Sequence, residues 1–327
     1  MARLRRDVQR LRVMLRRQAV QRFSPEYEPA QRATVAEAPS ISRAYILQSA
    51  KLGREVHLLS TPEMEAALLV LYHPRLFELQ EQRLLSTGPA MHPLDGHPKA
   101  MGLHLAPLPG TLRVLEGLGK IHRHPTVRYQ PTADPRSAQS IPWPYIGDLL
   151  LYLEDDIGPY CVNWTVKKDP AEFRRRGSYR GKPVLPDSED PGVILRHRVE
   201  ALQYGAAGIR TVEITPEMFA RQVIDNLRFL FLYHGRQIAA DWYVRQRIVS
   251  TFASTIGTPR SIFQTSQVLM SETGLALDVI YTVLYQAIWR RDLEVDLFTA
   301  ILSDLPLQAP TLDVCEHYAS LFARTAP

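Results

Sequence analysis

Three charged residues, widely separated in the sequence, have the side chains needed to cleave a phosphodiester. Glu63 lies at the start of a predicted helix, Asp148 on an apolar predicted strand, and Lys167 on a second predicted strand after an acidic turn. Two carboxylates can hold a hard divalent cation, which lowers the pKa of a bound water. A neighbouring lysine can orient the nucleophile or offset charge on the reacting phosphate. The set therefore suits a metal-dependent nuclease.

The start of the predicted helix allows two interpretations of Glu63. Ser60 is a good helix-capping residue, Pro62 suits the first turn, and an apolar run follows. Ser60 and Glu63 also have the spacing of a capping box, in which the glutamate only reaches back to a free backbone amide. Glu63 is thus either a helix cap or a metal ligand. Residues 76–82 then alternate apolar and polar side chains, which predicts a half-buried strand.

Asp148 interrupts an apolar run at residues 145–153 that predicts a strand buried on both faces. A carboxylate is costly to bury unless it meets a cation or opens on a cleft. Residues 154–158 then predict an acidic turn that ends in glycine. Asp148 therefore needs a partner, which the returning strand can supply.

The returning strand, residues 160–168, sorts its side chains by simple alternation. Lys167, not Lys168, shares a face with Thr165. A lysine beside a single aspartate is also what a plain salt bridge requires. Catalysis and an ordinary ion pair both remain open for Asp148 and Lys167.

Length and composition limit the classes of protein to which this chain can belong. The chain has 327 residues, 45% of them apolar, which predicts two domains with enough material for both cores. No run of about 18 apolar residues is present, so a membrane-spanning helix is not expected. Two cysteines cannot build a disulfide framework, and we expect a reducing cytoplasm. A net charge of +5 weakly favours a polyanionic partner.

The N-terminal 43 residues predict a basic arm followed by a linker. Residues 1–22 carry eight arginines and an apolar helical repeat, so Arg5, Arg6 and Arg12 are candidates for contacts with DNA phosphates. A solvated tail, or a targeting or membrane-surface helix, explains the same pattern. Residues 23–43, with three prolines, predict the linker.

A stretch rich in Pro, Gly and His at residues 86–144 predicts an insertion between core elements. His122 and His124 would suit metal chelation only on a strand. No cluster of Cys or carboxylates accompanies them at zinc spacing, and a solvated loop explains them equally well.

The C-terminal third predicts a helical domain. A long helix at 226–247 is followed by a helix-turn-helix, at 266–273 and 276–289, with a possible strand, or wing, after it. The second helix has no basic residue before Arg290, and residues 261–327 carry three Arg against eight Asp or Glu. DNA phosphates would be repelled there, so we expect this domain to bind proteins.

Several of these segments resemble the TnsA family, the endonuclease subunits of heteromeric cut-and-paste DNA transposases. The similarity covers the helix start at 60–63, the next strand at 77–82 and the aspartate strand at 147–150. It continues with the lysine strand at 165–167 and with a closing helix and strand at 195–201 and 208–214. The resemblance implies an α/β restriction-endonuclease-like catalytic domain at 44–215. It also implies an all-α or winged-helix-like partner-binding domain at 216–327.

The resemblance also implies a ligand set, with two departures from the family pattern. Glu63 and Asp148 would hold Mg²⁺, for which Mn²⁺ can substitute. Thr165 stands where the family has glutamine, so its hydroxyl or the Val166 carbonyl would complete the ligands. Gly147 replaces a common serine or threonine. The first departure predicts weaker or altered metal dependence.

The implied activity is hydrolysis at the 5′ ends of a transposon, on the strand that is not transferred. A TnsB-like transposase would act on the 3′ ends of the same double-stranded DNA, and a TnsC-like AAA+ ATPase would regulate the complex. Beyond the lysine strand lies a basic loop that could clamp the DNA backbone, through Arg174, Arg175, Arg176, Arg180 and Lys182. A stand-alone restriction-type nuclease and a non-catalytic winged-helix regulator are the alternatives.

Overall fold

A computed structural model describes residues 7–39, 42–130, 135–175 and 189–325. The chain divides into two compact units. Unit 1 comprises Met1–Ala66, Arg75–Pro216 and Ala323–Pro327, and unit 2 comprises Ala67–Pro74 and Glu217–Phe322. Unit 1 contains a mixed sheet with helices, and unit 2 is helical. The prediction of an α/β part joined to a helical part is confirmed at this level.

Unit 1 is organised around a four-stranded sheet in the order β3-β6-β7-β8. Strands β3, β6 and β7 are antiparallel neighbours, whereas β8 runs parallel to β7. Helix α4 makes the connection from β7 to β8, as a parallel pair requires. In chain order the elements are α1 (Val8–Arg17), β1 (Tyr45–Ser49), β2 (Arg54–Leu58), α2 (Thr61–Tyr72), β3 (Leu76–Glu81), α3 (Thr111–Gly117), β4 (Thr126–Tyr129), β5 (Gln139–Pro142), β6 (Leu149–Asp155), β7 (Gly158–Val166), α4 (Pro191–Gly205) and β8 (Arg210–Ile214).

The two central strands are buried on both faces. The five residues from Leu149 to Leu153 are at most 1% exposed, and so are Asn163, Trp164 and Thr165 on β7. A strand that is covered on both faces loses the alternation of apolar and polar residues, which is why β6 is a continuous apolar run. Asp155 accepts the amide hydrogens of Ile157 and Gly158 at the turn between the two strands, as the acidic turn predicts.

The aspartate strand starts later than the sequence predicts. Strand β6 begins at Leu149, so Asp148 lies directly before the strand and not on it. The Gly147 amide donates to the Arg83 carbonyl at 2.8 Å, and the Asp148 carbonyl accepts the Gln82 amide at 3.0 Å. Gln82 has a φ of 49°, which interrupts the regular ladder at this point. The prediction of a strand at 145–153 is therefore wrong for its first four residues.

The N-terminal segment packs on unit 1. Leu11 and Met14 of α1 are buried in a small apolar cluster with Val127 and Trp143 of the β4–β5 region. The basic amphipathic helix of the sequence is thus formed over Val8–Arg17, with Leu11 and Met14 buried and Leu15 exposed.

A buried ion pair joins the following segment to the sheet. Arg54 of β2 makes two hydrogen bonds of 2.9 Å to the carboxylate of Glu81, which is fully buried. The Tyr27 ring lies 4.8 Å from the same guanidinium, and its hydroxyl donates to the Glu81 carbonyl at 2.7 Å. Residues around Tyr27 are thereby attached to β3. Burial alone would lower the pKa of Arg54, but Glu81 and Glu78 raise it above its ordinary value.

Unit 2 differs from its prediction at two points. The long helix predicted at 226–247 is two helices, α5 and α6, because the chain turns at residues 232–241 and Asp241 caps the second helix. Among the residues described in unit 2 there is no strand beyond one isolated bridge, so the wing predicted after α8 is not formed. Its helices are α5 (Arg221–Phe231), α6 (Trp242–Thr255), α7 (Ile262–Thr273), α8 (Leu277–Arg290), α9 (Val314–His317) and α10 (Ala319–Phe322).

The helix-turn-helix of unit 2 is confirmed. Helices α7 and α8 meet at 118°, and Gly274 ends α7 in the left-handed conformation that favours glycine. No single helix in the described part of the chain is long and apolar enough to span a membrane; only the bent pair α7 and α8 reaches that length and apolarity together.

Replacing Arg54 with Met should strongly destabilise the protein, because Glu81 would keep a buried charge without a counterion. We expect a loss of about 3 to 5 kcal/mol in the free energy of unfolding. The control is Arg75→Met, because the Asp156 that pairs with Arg75 is almost fully exposed; there we expect a loss of about 1 kcal/mol or less. Urea unfolding of the three proteins measures the difference. Equal losses in both variants would contradict this account of the ion pair.

Candidate active site

The three predicted residues of the site converge at one edge of the sheet. Strands β6 and β7 are antiparallel, so the residue before β6 and the residue after β7 are neighbours. The Lys167 ammonium lies 3.0 Å from Asp148 Oδ2. Glu63, in the first turn of α2, is close enough for the charges of Asp148 and Lys167 to shift its pKa.

Asp148 is an ionised acid held by the end of β7. Its Oδ2 accepts the Val166 amide at 2.8 Å and the Lys167 ammonium. Burial acts to raise its pKa, but Lys167, Arg196 and these hydrogen bonds together lower it below the ordinary value. Lys167 also donates to the Val166 carbonyl at 2.7 Å, whereas Lys168 is exposed. The alternation rule therefore selected the lysine that contacts the aspartate.

Glu63 makes the contacts of a helix cap and also faces the second acid. Its Oε1 accepts the Ser60 hydroxyl at 2.9 Å, and its Oε2 accepts the Leu59 amide and the Gln82 side-chain amide, each at 2.9 Å. The Glu63 amide donates to the Ser60 hydroxyl at 3.3 Å. This is a capping box displaced by one residue, because the glutamate reaches Leu59 and not the amide of Ser60. The helix-cap interpretation is therefore confirmed by these contacts, and the metal-ligand interpretation stays a prediction.

The electrostatics of Glu63 differ from those of Asp148. Burial and then the charge of Asp148 raise its pKa to about 7, although the Leu59 and Ser60 hydrogen bonds and Lys167 act in the opposite direction. Two buried carboxylates thus share one nearby lysine. A bound cation would supply the positive charge that this pair lacks.

Gln82 belongs to the site although the sequence did not identify it. Its side-chain amide donates to Glu63, and its backbone amide donates to the Asp148 carbonyl, so it links the two acids. The residue is buried and has a positive φ, a conformation that a non-glycine residue keeps only when its surroundings hold it there. Nothing in the sequence around β3 signals this conformation.

The donor atoms at this edge fit a hard cation. Asp148 Oδ1 accepts no hydrogen bond from the described residues, and Thr165 Oγ1 is buried without a partner. The register that pairs Leu149 with Trp164 brings Asp148 opposite Thr165, so both side chains lie on one face. With Glu63, these groups offer the oxygen ligands that Mg²⁺ prefers. No group of three or more His, Cys, Asp or Glu arranged to hold a metal occurs in the described ranges.

A cleft of about 530 Å³ opens beside Lys167. Among the described residues, four cationic side chains line it against the single carboxylate of Glu172, which suits a phosphate backbone. Arg196 donates to the Ile146 carbonyl at 2.7 Å and so reaches the segment that carries Asp148. Arg123, Arg196 and His197 line the cleft beside Lys167 and Arg175, and no local sequence pattern marks these three residues as members of the site.

The predicted DNA-binding residues are distributed unevenly. Arg175 lines the cleft, while Arg174 is exposed and pairs with Glu189 at 3.2 Å. Arg12 of α1 lies over the Tyr129 ring, 5.6 Å from its centre. Five further candidates lie outside the described residues: Arg5, Arg6, Arg176, Arg180 and Lys182.

The His122 and His124 pair is not a metal site in this fold. His122 lies in a single turn of 3₁₀ helix and His124 directly follows it, so neither is on a strand. The two ring nitrogens of His124 are hydrogen bonded, to the Thr111 hydroxyl and to the Pro125 carbonyl, each at 2.9 Å.

No protein-family model matches the sequence, and no curated protein is significantly similar to it. The function must therefore be inferred from the residues themselves and their geometry.

Replacing Glu63 with Gln should change how stability depends on pH. The pKa of Glu63 is about 7 in the folded protein against an ordinary 4.5, so the folded state holds this proton more tightly than the unfolded chain. The free energy of unfolding of the metal-free wild type should therefore fall by about 3 kcal/mol as pH rises from about 4.5 to about 7. Glu63→Gln should lack this contribution. Urea unfolding at pH 5 and pH 8 tests it, and equal losses in both proteins would refute it.

Replacing Thr165 with Val should have opposite effects with and without metal. Valine keeps the shape and removes a buried hydroxyl that has no partner, so the metal-free protein should gain about 1 to 2 kcal/mol. If the hydroxyl binds Mg²⁺, the variant should need more Mg²⁺ for the same rise in melting temperature. The control is Thr211→Val on β8, whose hydroxyl accepts from Asn163 at 3.3 Å; it should lose stability and keep its Mg²⁺ response. An unchanged Mg²⁺ response in Thr165→Val would exclude Thr165 as a ligand.

Proposed function

We propose that this protein is a metal-dependent DNA endonuclease that acts as the TnsA-like subunit of a cut-and-paste transposition complex. The observation that carries the proposal is the convergence of two acids and a lysine, with Lys167 3.0 Å from Asp148 and Glu63 within electrostatic range of both. A salt bridge with Lys167 alone would need only Asp148, and it would leave the nearby Glu63 unexplained. The second acid has an elevated pKa, which costs stability, and this cost is understandable if the pair holds a cation.

Each residue has a distinct role in the proposed reaction. Asp148 is ionised at neutral pH and offers Oδ1, and Glu63 and Thr165 offer the remaining side-chain oxygens. Bound Mg²⁺ would supply Lewis acidity and a water of lowered pKa. Lys167 lines the cleft and holds a positive charge where the phosphate enters. Arg123, Arg175 and Arg196 line the same cleft and would bind backbone phosphates without reading sequence.

The finer fold assignments belong to the same proposal. A restriction-endonuclease-like domain is supported by a mixed sheet that receives β8 through α4 and has Asp148 and Lys167 at the ends of β6 and β7. Glu63 of α2 lies within electrostatic range of both. For the C-terminal domain, the all-α form is favoured over the winged-helix form, because the described residues after α8 contain no strand. A cytoplasmic location is part of this proposal as well.

Partner binding, and not DNA readout, is the role we propose for unit 2. Helix α8 occupies the position of a recognition helix, yet all residues from Thr282 to Trp289 are buried. The accessible start of the helix, Leu277–Val279 with Tyr281, carries Asp278 and no basic side chain, which does not suit contacts with DNA. The acidic residues Asp292, Glu294 and Asp304 are exposed instead. This surface fits a TnsC-like ATPase or a TnsB-like transposase.

Substitutions at the acid and the lysine should abolish cleavage of plasmid DNA. Asp148→Asn and Lys167→Met each remove a charge at the proposed reaction centre, so metal-dependent nicking should fall by at least about 100-fold. Lys168→Met is the matched control, because Lys168 is the next residue and is exposed; it should cut like the wild type. Supercoiled plasmid with Mg²⁺ or Mn²⁺, followed on a gel, gives the rates. Wild-type rates in both site variants would overturn the nuclease proposal.

Specific double-strand breaks should require the partner transposase. The isolated protein should nick DNA only weakly, and paired cuts at transposon ends should appear when a TnsB-like transposase is added. Reversing charges in unit 2, with Asp292→Lys and Asp304→Lys, should reduce pull-down of the partner and leave the weak nicking unchanged. Asp156→Lys in unit 1 is the control for total charge, since Asp156 is almost fully exposed.

The full chain is needed for this experiment. Helix α2 begins in unit 1, and its residues from Ala67 onward belong to unit 2. Deletion of the C-terminal part would therefore remove the rest of the unit to which this buried apolar segment belongs. Efficient sequence-specific cutting by the protein alone would favour the stand-alone restriction-type nuclease instead.

A further inference from the structure

His197 is a cleft residue with one ring nitrogen that has no partner. It lies on α4 directly after Arg196 and lines the cleft together with Lys167. Its Nδ1 is buried and makes no hydrogen bond with the described residues. Phe173 packs against the imidazole at 5.2 Å between ring centres, with the planes inclined by 62°. The Phe173 ring therefore fixes one side of the imidazole.

The unpartnered Nδ1 decides which nitrogen carries the proton. A buried N–H without an acceptor costs more than a buried lone pair, because the donor loses its hydrogen bond to water outright. The neutral ring should therefore carry its proton on Nε2. Since Nδ1 is enclosed and His197 lines the cleft, Nε2 is the nitrogen that can reach a ligand there. The His197 side chain thus offers one N–H donor to a ligand in the cleft.

The surroundings of His197 oppose a charged imidazolium. Burial, followed by the charges of Arg196 and Lys167, lowers its pKa to about 3, against a smaller opposing contribution from Asp148. The other charged groups that line the cleft are Arg123, Arg175 and Glu172, which add further positive charge on balance. The ring therefore stays neutral at physiological pH.

We propose that His197 is a phosphate ligand of the cleft, whose Nε2–H donates to a non-bridging oxygen of the DNA backbone. This inference rests on the proposed function for the identity of the ligand. Lys167 lies 6.0 Å from the ring of Phe173, the same ring that holds His197. Phe173 thus supports both the imidazole and the ammonium on one side of the cleft. A neutral donor adds direction to phosphate binding without adding more charge beside the cations.

The test measures binding of a short fluorescent DNA duplex by anisotropy in EDTA, so that it does not depend on cleavage. His197→Ala and His197→Asn should raise Kd about 3- to 10-fold, the range expected for one lost hydrogen bond. Glutamine can place its amide N–H near the position of Nε2, so His197→Gln should remain within about 2-fold of the wild type. His104→Ala is the control, because His104 is exposed and away from the cleft lining. Melting temperatures verify that each variant is folded.

Two further measurements separate a neutral donor from a cation. The ratio of Kd between His197→Ala and the wild type should stay constant from pH 5.5 to pH 8, and nitrogen NMR should show the Nε2–H form. A ratio that grows below pH 6.5, an Nδ1–H form, or wild-type binding by His197→Ala would overturn the inference. Equal defects in the Gln and Ala variants would do so too. Absence of metal-dependent cleavage would refute the proposed function but leave this binding result standing.

Discussion

The antiparallel pairing of β6 with β7 is the constraint on which the candidate site depends. It brings the residue before β6 against the end of β7, so that Asp148 accepts both the Val166 amide and the Lys167 ammonium. At this point the carboxylate accepts the Val166 amide in place of a backbone carbonyl of β6, so this amide at the end of β7 is hydrogen bonded. The same contact keeps the aspartate ionised in a buried position. The position of Asp148 and its contact with Lys167 thus depend on one pair of strands.

Glu63 shows how stability and proposed function are joined in one side chain. Its carboxylate completes the N-terminus of α2, receives the Gln82 side chain and faces the second acid. An alanine at this position would leave the Leu59 amide and the Gln82 amide without an acceptor, so loss of stability and loss of chemistry would be mixed. The positive φ of Gln82 belongs to the same network, because it lets one residue contact both acids.

A buried polar layer explains the glycine before the aspartate. Asn163 of β7 donates to Glu200 of α4 at 3.1 Å. A Cβ at position 147 would lie 3.3 Å from the same Glu200 oxygen and equally close to Leu85. A serine or threonine would therefore press against this carboxylate. Burial raises the pKa of Glu200 despite the nearby charge of Arg196. The absence of a side chain at Gly147 therefore leaves room for a buried carboxyl group that loses its proton less readily than usual.

Local pattern alone determined a large part of this protein. The cap and apolar run predicted α2, the acidic turn predicted the β6–β7 hairpin, and strict alternation selected Lys167 over Lys168. These features depend on neighbours in the sequence, where capping, turn chemistry and side-chain period act directly. The helix-turn-helix of unit 2 followed from a glycine between two apolar helical repeats for the same reason.

Only the tertiary structure decided how distant segments meet. The position of Asp148 before β6, the role of Gln82 and the membership of Arg196 and His197 in the cleft all follow from contacts between residues far apart in the chain. The pKa of a buried acid depends on the charges packed around it, so it could not be derived from its sequence neighbours. The sequence therefore determined which groups are available for chemistry, whereas packing determined which of them share one site and in which protonation state.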